Sequence, residues 1–133
     1  KVARRIAESV DCHPYYVQML AQQCWFRTRS RCNNAIVDMA FSNLVLQLSL
    51  LFQDLADSLS NTQVNFLKAV VDNVEQLSSQ DVIIEYGLGT SGNIMKIKKA
   101  LMSKEIIDIE HGKVFLLDPL FRAWLKDHYF RNR

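Results

Sequence analysis

The sequence predicts a mostly α fold: a helical subdomain over residues 1–59, then a winged helix-turn-helix over 60–133 with a small two-stranded wing. Three observations point there. Apolar residues recur at helical spacing from Val64 to Val74 and again from Ile94 to Leu101. A glycine-rich bend, Gly87-Leu88-Gly89-Thr90-Ser91-Gly92, separates two short helical stretches. Finally, Ile106-Ile107-Asp108-Ile109 and Val114-Phe115-Leu116-Leu117 flank His111-Gly112 in the pattern of a tight hairpin.

Val2–Val10 reads as a short helix with Ile6 and Val10 on one face. Asp11-Cys12-His13-Pro14 stops it and starts a second helix, Pro14–Arg27, because proline suits a first helical position whose N–H has no partner anyway. Val17, Leu20, Ala21 and Cys24 form its expected apolar stripe. Arg27, Arg29 and Arg31 alternate through a polar connection. Asn33 or Asn34 then caps what is expected to be one long helix ending near Asp57. Leu59–Ser60 is the expected boundary. Ser60 with Gln63 spells a capping box for a helix over Asn61–Leu77, whose apolar face is Val64, Leu67, Val70, Val71 and Val74. Ser79 caps Gln80–Tyr86, and Thr90 or Ser91 caps a helix from about Gly92 to Ser103. Asp118 caps, and Pro119 begins, a last helix carrying Leu120, Phe121, Trp124 and Leu125. The end of the chain, Tyr129-Phe130 with Arg131 and Arg133, is amphipathic and basic, and fraying is the default for it.

At 133 residues, 49% hydrophobic and 23% charged, the chain has enough apolar material for a core. A net charge of +2 does not by itself argue for nucleic acid. Cys12, Cys24 and Cys32 form no C-x-x-C pair, and their spacings match no common zinc pattern even with His13 adjacent. Buried or half-buried thiols, and no metal, are the expectation. Polar residues interrupt Asn34–Leu59, so neither a membrane span nor a signal peptide is spelled and a cytoplasmic setting is expected. A first residue of Lys1 within an already helical turn suggests a piece of a longer chain. Trp25-Phe26 and Trp124 through Phe130 are expected as core or interface aromatics. No nucleophile elbow is spelled around the three histidines, so no catalytic residue is assigned.

The glycine bend admits two readings. Gly87, Gly89 and Gly92 have the spacing of a dinucleotide-binding turn, and Asp108 or Glu110 could serve a ribose. That reading needs Val82–Tyr86 to be a strand within successive β–α–β units, whereas everything before Ser79 reads helical. Gly87 and Gly92 also bracket four residues as in a Walker loop, but Asn93-Ile94 stand where Lys-Ser/Thr is required. The winged-helix reading uses every element in order. Its third helix would bury Ile94, Ile97 and Leu101 and present Lys96, Lys99 and Ser103 outward, with Asn93 near that face. His111 and Lys113 would lie at the wing tip, within reach of phosphates. Glu105, Asp108 and Glu110 would oppose such contact, so a protein partner and DNA both stay open.

The pattern Tyr86-x-Leu88-Gly89-Thr90-Ser91-x-Asn93-Ile94-x-x-Ile97-x-x-Ala100-Leu101, then Lys104-Glu105-x-Ile107 and Asp118-Pro119-x-Phe121-x-x-Trp124-Leu125, resembles the C-terminal region of archaeal-type P-loop ATPases, in the STAND branch of the AAA-related NTPases. His13-Pro14-Tyr15-Tyr16-Val17-Gln18 is similar to a segment of that family's helical lid. The resemblance implies a parent chain whose N-terminal core, absent here, binds ATP and Mg, with residues 1–59 as lid and 60–133 as winged helix. It also implies that His13 and Pro14 lie near the nucleotide and sense its state. The family usually has glycine where this chain has Cys12.

Overall fold

In the computed structural model, which describes residues 1–132, contacts divide the chain into two compact units, Lys1–Leu50 and Leu51–Arg133. The first contains α1 (Val2–Ser9), α2 (Pro14–Arg27) and α3 (Asn34–Gln47), each touching the other two. Ile6, Val10, Leu20, Cys24, Val37 and Leu44 fill its core. Ala21, expected on the apolar stripe of α2, is exposed instead. Asn33 caps α3, its side chain accepting from the Ile36 N–H at 3.0 Å.

The expected single helix to Asp57 is two helices, because α3 ends at Gln47, Leu48 follows it, and α4 (Ser49–Asp57) begins afresh. No single helix among the described residues is long and apolar enough to cross a membrane; only α3 and α4 taken together reach that length and composition.

The second unit holds most of α4, then α5 (Asn61–Val71), α6 (Gln80–Tyr86), α7 (Ser91–Ser103), β1 (Ile107–Glu110), β2 (Lys113–Leu116) and α8 (Pro119–Trp124). The chain continues from α8 as a wider π-type turn over Leu125–Tyr129 and a 3₁₀ turn over Phe130–Asn132. Strands β1 and β2 pair antiparallel, Ile107 opposite Leu116 and Glu110 opposite Lys113. His111 and Gly112 join them with φ of 53° and 77°. Two positive φ values in a two-residue loop match the right-handed twist of a hairpin.

Local chemistry fixes the helix ends. The Ser60–Gln63 capping box forms in both directions, Ser60 N–H to Gln63 Oε1 at 3.0 Å and Gln63 N–H to Ser60 Oγ at 3.3 Å. Asp118 accepts from the N–H groups of Leu120 and Phe121 at 2.9 and 3.1 Å, opening α8 beside Pro119. Four helices end in one arrangement: a residue with left-handed φ follows the last turn, and the N–H after it returns five residues. Thus Cys12 bonds Ala7, Val74 bonds Ala69, Leu88 bonds Ile83 and Ile106 bonds Leu101. The left-handed residues are Asp11, Asn73, Gly87 and Glu105, at φ 51°, 57°, 65° and 58°. Asn73 therefore stops α5 at Val71, short of the expected Leu77, although Val74 continues the apolar period.

The core of the second unit is Val64, Phe66, Leu67, Ile83, Leu88 and the inward faces of α7 and α8. Phe52 of α4 joins it, with ring centroids 5.4 Å from Phe121 and 6.0 Å from Trp124. Residues 51–59, expected to belong with the first unit, thus pack into the second.

In the terminal segment, Tyr129 and Phe130 are packed rather than free. Tyr129 lies 5.2 Å from Trp124 and 5.3 Å from Phe130, and the Lys68 ammonium sits 5.7 Å over the Phe130 ring. Arg133 lies outside the described residues.

Candidate functional site

The glycine bend runs from one helix directly into another. Val82–Tyr86 is helical, within α6, so the strand that a dinucleotide site requires is missing and that reading falls. Two amide side chains tie the bend down: Asn65 donates to the Gly87 carbonyl and Asn93 to the Leu88 carbonyl, both at 3.3 Å. Gly89, at φ 91°, has a backbone that residues with a side chain rarely adopt, and a Cβ there would displace the Asn93 amide nitrogen, 2.8 Å away. The bend is thus a connection between two helices held by amide side chains of α5 and α7. Phosphate-loop chemistry does not fit here, since Asn93 occupies the lysine position and spends its amide on the turn.

This bend sets α7 across α5 and against β1. Ile94, Ile97 and Leu101 are buried, at 1%, 3% and 0% exposure. Lys96, Lys99 and Ser103 are exposed on the far side, as the spacing predicts. Asn93 is not on that face; it is half-buried and engaged with Leu88. Met95 and Met102, which the charge pattern does not reveal, also lie exposed on α7. Among the described residues, neither Lys96 nor Lys99 takes part in an ion pair.

His111, Gly112 and Lys113 are exposed at the wing tip. They face a groove of about 680 Å³, whose other lining comes from Val114 of β2, Val70 of α5, the α5–α6 connection and Lys98 of α7. Lys98 was not singled out by its spacing, because it lies between the two faces of the helix. Lys96 and Lys99 do not line the groove, so the five expected contact residues do not form one cluster. The wing carries acids as well. Asp108 is exposed, its Oδ1 accepting from the Ile109 N–H at 2.8 Å, and Glu110 stands opposite Lys113.

In the first unit, His13 and Pro14 occupy the expected turn. Pro14 takes the first position of α2, while His13 precedes it, exposed, without a side-chain capping bond. The His13 ring lies 4.6 Å from that of Tyr16. Cys12 has φ 57°, a backbone conformation natural to glycine. Its thiol is exposed, a departure from the expectation of three sheltered cysteines; Cys24 is buried and Cys32 half-buried. Burial first, and then neighbouring Cys32, push the Cys24 thiol up to about 11, so it stays protonated at neutral pH. Trp25 and Phe26 are not core residues of this unit, being 78% and 72% exposed. Among the described residues no group of three His, Cys, Asp or Glu side chains is placed to hold a metal.

Residues 50–127 match the model of a family described as a probable winged helix domain. No curated protein and no solved structure matches the chain significantly. The matched span begins at α4, in agreement with the packing of Phe52 against α8.

Proposed function

The chain belongs to this winged-helix family, and from that premise we propose that the second unit is a non-catalytic module that contacts duplex DNA through α7 and the wing. The observation that carries it is the division of α7 into a buried aliphatic ridge and an exposed face holding Lys96 and Lys99 without acidic partners among the described residues. A helix so divided can lie in a major groove while lysines reach flanking phosphates. His111 and Lys113 extend that reach from the wing tip. Glu105, Asp108 and Glu110 subtract from the field, so the contact is weak and salt-sensitive rather than tight. Fluorescence anisotropy with a labelled duplex of about 20 base pairs tests this, since that length spans the footprint of one such module. Lys96→Ala with Lys99→Ala is expected to weaken binding at least about tenfold. Binding unchanged in the double variant, or no binding at low salt, contradicts it.

A second reading concerns the first unit. It rests on the resemblance to P-loop ATPases alone, from which the chain departs at Cys12, where that family usually has glycine; the left-handed φ of 57° there is one that glycine adopts readily. On this reading residues 1–59 are the lid of a nucleotide switch, His13 and Pro14 face ATP and Mg held by an N-terminal core, and lid movement is passed to the winged helix. The upstream reading frame tests it: a phosphate-loop lysine and a strand ending in a carboxylate are expected, and a frame lacking both overturns it. Turnover of ATP by residues 1–133 alone also contradicts a non-catalytic fragment.

A further inference from the structure

The groove behind the wing tip has a lining that duplex contact uses only at His111 and Lys113. Asn73, Gln76 and His111 all line it, and all have left-handed φ, at 57°, 51° and 53°. Asn73 ends α5 and His111 turns the hairpin, so these angles set the course of the backbone around the groove. The volume, about 680 Å³, falls within the usual range for a bound ligand. Lys98 and Lys113 bring two positive charges to the lining against one carboxylate, Glu75. Neither lysine is ion-paired among the described residues. The remaining lining is apolar, from Val70, Val74, Leu77 and Val114.

We infer that this groove docks an extended acidic peptide segment of a protein partner, with carboxylates on Lys98 and Lys113 and alternate apolar side chains on the valines and Leu77. An extended chain suits the lining because successive side chains point to opposite faces, so charged and apolar residues separate without a helix. Duplex DNA does not suit it: a rod whose major groove alone is about 12 Å across cannot enter. A small inorganic anion would leave the apolar lining uncovered. The site shares His111 and Lys113 with the DNA reading but not Lys96 and Lys99, which lie outside the groove, so the double alanine variant separates the two.

The test is a ¹⁵N NMR titration of residues 1–133 with a capped pentapeptide of alternating glutamate and valine. Amide shifts are expected at 73–79, at Lys98 and at 111–114. Lys98→Glu and Lys113→Glu should each weaken binding about tenfold, while Lys96→Ala with Lys99→Ala leaves it unchanged. Retained amide dispersion in each variant separates lost binding from lost folding. The inference is overturned if the peptide shifts none of these amides, or if both charge reversals bind as the parent does. It is equally overturned if a lysine–valine pentapeptide, inorganic phosphate or a DNA duplex produces the same shifts at the same concentration.

Discussion

Glu105 shows what a single backbone angle decides. It follows α7 at φ 58°, while the Ile106 N–H behind it closes on Leu101 at 3.0 Å. Glycine is the usual occupant of such a position, because a Cβ there crowds the backbone by roughly 1 kcal/mol. Glu105→Gly is therefore expected to stabilise the chain by about 1 kcal/mol in urea unfolding, and to strengthen duplex binding modestly by removing an acid beside α7. Unchanged stability would mean that the side chain compensates elsewhere. Nothing in the letter Glu announces a left-handed residue, whereas Gly87 in the same role was readable. Asn73 belongs to the unreadable kind, as an asparagine within an unbroken apolar period. Tyr86 offers a second residue-level check. Burial first, and then its hydrogen bond to Asp72 at 2.9 Å, push the phenol up to about 12 from 10.0. The folded chain keeps a proton that the unfolded chain releases, so this contribution is present below pH 10 and fades as pH rises towards about 12. Tyr86→Phe should flatten that alkaline loss of stability; superimposable profiles would contradict the assignment.

Among elements, the caps were the most legible. Ser60–Gln63, Ser79 and Asp118 act as their spelling predicts, because an N-cap is a local bond between residues two or three apart. Ser60→Ala should cost about 1 kcal/mol of unfolding free energy; a loss below about 0.3 kcal/mol would mean that the box is formed but idle. The hairpin was legible for a similar reason, its turn and alternation lying within ten residues. Helix ends chosen by backbone sterics were not. The extension of α5 to Leu77 and the fusion of α3 with α4 both follow from trusting an apolar period that the chain does not keep. The candidate site was half legible. Spacing finds the two faces of α7, but it misplaces Asn93, which caps the bend, and overlooks Lys98, which reaches the groove only through the fold of the α5–α6 connection.

At the scale of the molecule, the unit boundary turns on Phe52. No motif marks residues 51–59, and the tilted contacts of the Phe52 ring with Phe121 and Trp124, together with the family match from residue 50, assign α4 to the winged unit. Phe52→Ala should lower the stability of the second unit by about 3–5 kcal/mol, as expected for emptying an aromatic site. A loss under about 1 kcal/mol would restore the boundary at Leu59–Ser60. The second unit also carries the function proposed for the chain, with a mixed rather than uniformly basic field. Residues 50–127 hold eight Lys and Arg against eleven Asp and Glu, so any DNA contact depends on where the lysines stand and not on net charge.

The salt dependence of duplex binding examines that dependence directly. Each phosphate contact contributes about −0.9 to the slope of log K against log salt. Replacing both Lys96 and Lys99 by alanine should make the slope shallower by about 1.8, with affinity falling at every salt concentration. An unchanged slope in that variant would show that α7 is not the surface that meets DNA.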